Sequence, residues 1–100
     1  MIFQYILDGH TPVAEPDILR WAQWLETARR HVALWERADE KVSTIFLGLD
    51  HGSGEGPPLL FETMVFGGPH DGEQERYSTW EEAEAGHATM VRKVQTRRRR

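Results

Sequence analysis

The sequence predicts a single α+β domain, a mainly antiparallel sheet of about four strands in the order β-α-β-β-β-α with two helices packed on one face. Three observations predict it. Two segments, residues 16–30 and 79–94, repeat apolar side chains at helical spacing. The segments between them are short β-branched or aromatic runs bounded by turn residues. The connections between those runs have hairpin length, which favours antiparallel neighbours over crossovers. With 100 residues there is room for one domain and one modest core, expected over residues 1–95 with a basic flexible tail at 96–100.

Ile2, Phe3, Tyr5, Ile6 and Leu7 form the first expected strand, ended by the turn pair Asp8-Gly9. A loop leads to the first helix. Pro16 suits a first helical position, Glu15 and Asp17 place acid at the positive helix end, and Arg29-Arg30 place base at the negative one. Ile18, Trp21, Leu25 and Ala28 make its apolar stripe, widened by Ala22 and Trp24. Val32, Leu34 and Trp35, then Val42, Ile45, Phe46, Leu47 and Leu49, read as a hairpin around Ala38-Asp39-Glu40-Lys41. Three Gly and two Pro between Asp50 and Pro58 exclude a regular element there.

Leu59 to Phe66 is a further strand, closed by Gly67-Gly68-Pro69, and Arg76-Tyr77 a brief edge strand. Ser78…Glu81 and Thr79…Glu82 both fit a capping box, so the second helix begins at Thr79 or Trp80. Its stripe is Trp80, Ala83, His87, Met90 or Val91, and Val94. Trp21, Trp80, Phe46 and Phe61 are the expected anchors of the core, whose replacement by Ala would most endanger folding.

Charge is segregated. Residues 1–90 carry six basic and sixteen acidic side chains, a net of −10, while the last ten residues carry six basic ones and no acid. An acidic body repels phosphate backbones, so any nucleic-acid contact belongs to Arg97, Arg98, Arg99 and Arg100 and would be without sequence preference. The chain has no cysteine, which excludes disulfides, thiolate zinc sites and Cys nucleophiles. No apolar run approaches the ~18 residues of a membrane span, and Met1 to Asp8 lacks the signature of a secretory peptide, so a cytoplasmic location is expected.

Tyr5-Ile-Leu-Asp-Gly-His-Thr-Pro-Val13, Ser43-Thr-Ile-Phe-Leu-Gly-Leu-Asp-His51, Pro57-Pro-Leu-Leu-Phe-Glu-Thr-Met-Val-Phe-Gly-Gly68 and Tyr77-Ser-Thr-Trp-Glu-Glu-Ala-Glu-Ala-Gly-His87 together cover most of the chain apart from its basic end. In these segments it resembles a family of small uncharacterised proteins encoded in tailed-phage and prophage genomes. The resemblance implies a viral setting in a bacterial host; it implies no activity, cofactor or catalytic residue.

Asp, Gly and His recur at loop starts, in Asp8-Gly9-His10, Asp50-His51-Gly52 and His70-Asp71-Gly72. His and Asp can hold a divalent metal that activates water, so Asp8, His10, Asp50 and His51 are candidate ligands if their loops converge. Ordinary turn chemistry is the competing explanation, and the spacing matches no ligand signature. His87, on the helical stripe, reads as a partly buried histidine bonded to backbone rather than a general base. The Gly-rich 50–58 loop lacks the Gly-Lys-Ser/Thr of a phosphate loop, and no Gly-x-Ser-x-Gly elbow occurs. Trp24 and Trp35 either cover the sheet or form a partner-binding surface.

The expected function is therefore a non-catalytic accessory protein that binds a protein partner or associates with itself and needs no cofactor. Two alternatives stand beside it: a small metal-dependent hydrolase using the Asp/His loops, and a charge-driven nucleic-acid contact through the arginine tail.

Overall fold

A computed structural model of the chain describes residues 3–96, so Arg97 to Arg100 lie outside the described residues. The α+β class is as the sequence predicts. The main sheet is antiparallel and four-stranded, in the order β3 (His31–Arg37), β4 (Glu40–Phe46), β5 (Phe61–Phe66), β6 (Gln74–Tyr77). A second sheet is the hairpin of β1 (Tyr5–Asp8) and β2 (Thr11–Ala14). The helices are α1 (Ile18–Thr27) and α2 (Trp80–Thr96).

Side chains alternate between the faces of a strand, and in β4 the alternation decides where the core lies. Val42, Thr44 and Phe46 are fully buried, as are Phe61, Thr63 and Val65 on β5, and in-register pairing of Val42 with Val65 and Phe46 with Phe61 puts all six on one face. Onto that face α2 lays Ala83, His87, Met90 and Val94, an i, i+4, i+7, i+11 stripe. Two apolar clusters result. Val42, Val65, Met90 and Val94 form one, with Trp35 and Val91 against it; Phe46, Leu60, Phe61 and Ala83 form the other, flanked by Tyr5, Trp24, Tyr77 and Trp80. Burying each large side chain contributes roughly 1.5–3 kcal/mol.

The α2 start uses one of the two predicted boxes. Thr79 Oγ1 accepts from the Glu82 N–H at 3.0 Å, and Glu82 Oε1 accepts from the N–H groups of Thr79 and Ser78 at 3.2 and 3.0 Å. The β3–β4 hairpin turns on Ala38-Asp39, with Ala38 at φ 52.

The N-terminal third departs from the expected outline. The first strand does not join the main sheet. It turns at Gly9-His10 and pairs with β2, residues expected to be loop. On its other side it meets the segment after β4, where the Tyr5 N–H donates to Gly48 O and the Asp50 N–H to Phe3 O, both at 2.9 Å. Helix α1 is shorter than 16–30 at both ends. Pro16, expected as the first helical residue, lies before the helix, and Asp17 caps it, accepting from the N–H groups of Leu19 and Arg20 at 3.0 and 3.2 Å. Ala28 ends it, and Arg30 lies beyond, donating to Phe46 O at 3.1 Å instead of closing the helix. Of the two helices, α2 lies along the sheet, while α1 packs on β1 and reaches the sheet's buried face through Trp24, edge-on to Phe46 at 5.7 Å.

Candidate functional site

The predicted metal ligands occupy two separate places. Asp50 is hydrogen-bonded to Phe3, whereas Asp8 lies five residues further along the chain, roughly 16 Å away at strand rise. Asp50 Oδ1 accepts from the N–H groups of Gly52 and Leu59 at 2.7 and 3.0 Å, closing the base of the 50–58 loop. His10 stacks on Trp80, centroids 3.7 Å apart and planes 4° from parallel, so the hairpin tip is clamped to the start of α2. His51 is exposed. Among the described residues no group of three or more His, Asp or Glu side chains is placed to hold a metal ion.

Both candidate partner-binding tryptophans turn inward. Trp24 packs on the Phe46 cluster, and Trp35 packs on the Val42 cluster with the Arg37 guanidinium 5.2 Å from its ring centroid.

Two regions carry surface chemistry, and they lie on opposite faces of the main sheet. The first is a groove of about 290 Å³ between β6 and α2, lined by Glu75, Tyr77, Gly86, Thr89, Met90 and Lys93. A side chain at Gly86 would overlap the Tyr77 ring, so glycine is what lets that ring lie against the helix. From Tyr77 a chain of hydroxyls runs into the core. Tyr77 OH donates to Thr63 Oγ1 at 3.2 Å, Thr63 and Thr44 Oγ1 are 2.6 Å apart, and Thr44 Oγ1 is 2.7 Å from His87 Nδ1. Each hydroxyl has one proton, so the chain is fully satisfied in one order: Tyr77 donates to Thr63, Thr63 to Thr44, and Thr44 to an unprotonated Nδ1. That order requires a neutral His87, and burial pushes its pKa down in the same direction. Burial pushes the Tyr77 phenol up, with the Thr63 hydrogen bond opposing it. The partner of His87 is thus a side-chain hydroxyl 43 positions away, not the backbone acceptor expected from the sequence.

At the groove mouth the Glu73 carboxylate bonds Lys93 Nζ and His70 Nδ1, each at 2.6 Å, and the Lys93 bond, then the His70 bond, hold its pKa below the usual carboxylate range.

The second region is the face of the main sheet away from α2. Register places Glu36, Lys41 and Phe66 in one row across it, Leu34, Ser43, Met64 and Gln74 in the next, and Ile45, Glu62 and Arg76 in the third. No helix or strand of the described residues lies over it. Leu34 at the centre of β3 is 51% and Phe66 at the end of β5 45% exposed, large values for apolar side chains paired within a sheet. Its charges cancel, two acidic against two basic: Arg76 bonds Glu62 at 3.1 Å, and Lys41 Nζ sits 4.8 Å over the Phe66 ring. Sequence reasoning missed this face because Leu34, Met64 and Phe66 read there only as strand residues, with no assignment of each to a face.

No protein-family model, curated protein or solved structure matches the chain.

Proposed function

We propose that this chain is a non-catalytic binding module that associates with a second copy of itself through the bare face of the β3–β6 sheet. One observation carries the reading: the row structure of that face, in which Leu34, Ile45, Met64 and Phe66 are interleaved with a balanced set of charges. The chain carries a net charge of −4, with −10 in residues 1–90 against +6 in the last ten, so the acidic bodies of two copies repel. The electroneutral face is where they meet without that cost, and an isologous contact sets each apolar row against its counterpart.

Size sets the strength. Strands of 7, 7, 6 and 4 residues give a footprint of roughly 380 Å² from standard strand spacings. Stable interfaces bury about 800 Å² per partner, so the dimer is weak and is populated only at high concentration. By the resemblance to phage and prophage proteins, the setting proposed for it is a bacterial cytoplasm.

Sedimentation velocity over a concentration series tests this. The expected result is a mass rising from monomer toward dimer, with Leu34→Glu/Phe66→Glu staying monomeric while its circular dichroism is unchanged. A wild-type chain that remains monomeric up to millimolar concentration would sink the proposal.

A further inference from the structure

We infer that the groove between β6 and α2 binds a small organic ammonium ion with an apolar body, its charge on Glu75 and its body against Tyr77 and Met90. The observations behind it are independent of the sheet-face proposal, since Glu75 and Tyr77 point to the α2 side, paired with Thr63 and Phe61.

Charge selects a cation. Lys93 and Glu73 neutralise each other at 2.6 Å, whereas Glu75 has no ion-pair partner among the described residues. The described residues, Arg92 and Lys93 of α2 included, carry sixteen acidic and eight basic side chains, and this net −8 raises cation concentration around it. Chemistry selects an organic cation over a metal ion. The groove offers one unpaired carboxylate, a phenol ring and a thioether, and a hard divalent ion needs several oxygen ligands. An ammonium group takes a single charge-assisted hydrogen bond and gains from an aromatic face.

The floor is already formed. Tyr77 is pinned at its hydroxyl by Thr63, which is held by Thr44 and His87, and its ring is pressed against the bare backbone of Gly86. Binding therefore does not have to immobilise the aromatic ring, which preserves affinity. A volume of about 290 Å³ lies at the lower limit of ligand pockets, which fits an amine bearing a single ring.

Phenethylammonium titrated into the full chain, followed in proton–nitrogen correlation spectra, is the test. Saturable shifts are expected at the amides of Glu75, Tyr77, Gly86 and Thr89. Glu75→Gln, at an exposed position, should weaken binding about tenfold, the scale of one charge-assisted hydrogen bond. The neutral isostere 2-phenylethanol should bind no better to wild type than the amine binds to that variant. Thr89→Trp, which fills the groove from the helix surface, should abolish the shifts. Equal binding of amine and alcohol, an unaffected Glu75→Gln, or shifts centred elsewhere would each overturn the assignment.

Discussion

The sheet β3–β6 with α2 and the N-terminal unit of β1, β2 and α1 are held by different means. The first contains, with Leu60 at its entry, the buried apolar side chains of the described residues. The second contains none: α1 has no buried residue, and Ile18 and Leu19 at its first turn are 61% and 71% exposed. The N-terminal unit is tied on instead by partly buried Tyr5, Leu7 and Trp24 against the Phe46 cluster and by directed contacts. The Trp21 indole N–H donates to Gly48 O at 3.0 Å, Leu25 covers Gly48, and His10 stacks on Trp80. Gly48 sits at φ 83, and a Cβ there would stand 3.0 Å from Leu25, so the close approach depends on glycine. Dense burial resists opening, whereas three partly buried side chains, a few hydrogen bonds and one stack set a lower local cost, so the N-terminal unit is the part expected to open first.

The largest expected effect lies in the sheet unit. Phe61→Ala removes a fully buried ring between Phe46 and Trp80 and should cost about 3–5 kcal/mol, read as a lowered denaturant midpoint. A smaller loss than Trp21→Ala produces would reverse the comparison. Next is Gly86→Ala, which forces the Tyr77 ring off the helix and takes its O–H away from the Thr63 acceptor; a cost of about 1–3 kcal/mol is expected in the same assay.

Trp21→Phe sharpens the contrast. It deletes the bond to Gly48 O and should cost about 1 kcal/mol globally. Hydrogen exchange should speed up in β1, β2 and α1 while β4 and β5 keep their protection; uniform acceleration would mean that the two regions open together.

Acid acts on the sheet unit through His87. Its folded pKa lies below the ordinary ~6.5, so the unfolded chain takes up the proton first as pH falls. The stability it contributes is full above ~6.5 and is lost as pH drops through the lowered folded value. Melting temperature should therefore begin to fall as pH drops below the ordinary ~6.5, and His87→Gln should flatten that slope. Smallest of all, Ile18→Ser or Leu19→Ser at exposed positions should move stability by no more than about 0.5 kcal/mol. A larger loss would place α1 against something in solution.

Where chemistry was local, the sequence was a sufficient guide. The Thr79…Glu82 box, the Ala83-His87-Met90-Val94 stripe, the β3–β4 hairpin and the 50–58 loop each depend on residues within a turn or two of one another, and each lies where expected. Trp21 was misjudged because a helical stripe shows which side is apolar, not how deeply it is buried; its indole is half-buried and serves the hairpin junction. Strand β2 was hidden by Pro12, which cannot donate to a ladder and is tolerated only because β2 is an edge.

The candidate sites were not legible, for a single reason: each is made by strands choosing their faces. On β5, Phe61 and Val65 alternate with Met64 and Phe66, so either face could have been the buried one. Composition and local spacing by themselves determined the α+β class, the capped second helix and the acidic body. Only tertiary packing decided that α2 takes the Val42–Phe46 face, because register sums burial over four strands at once. That choice leaves Leu34 and Phe66 bare, brings Thr44 to His87 and opens the groove at Gly86.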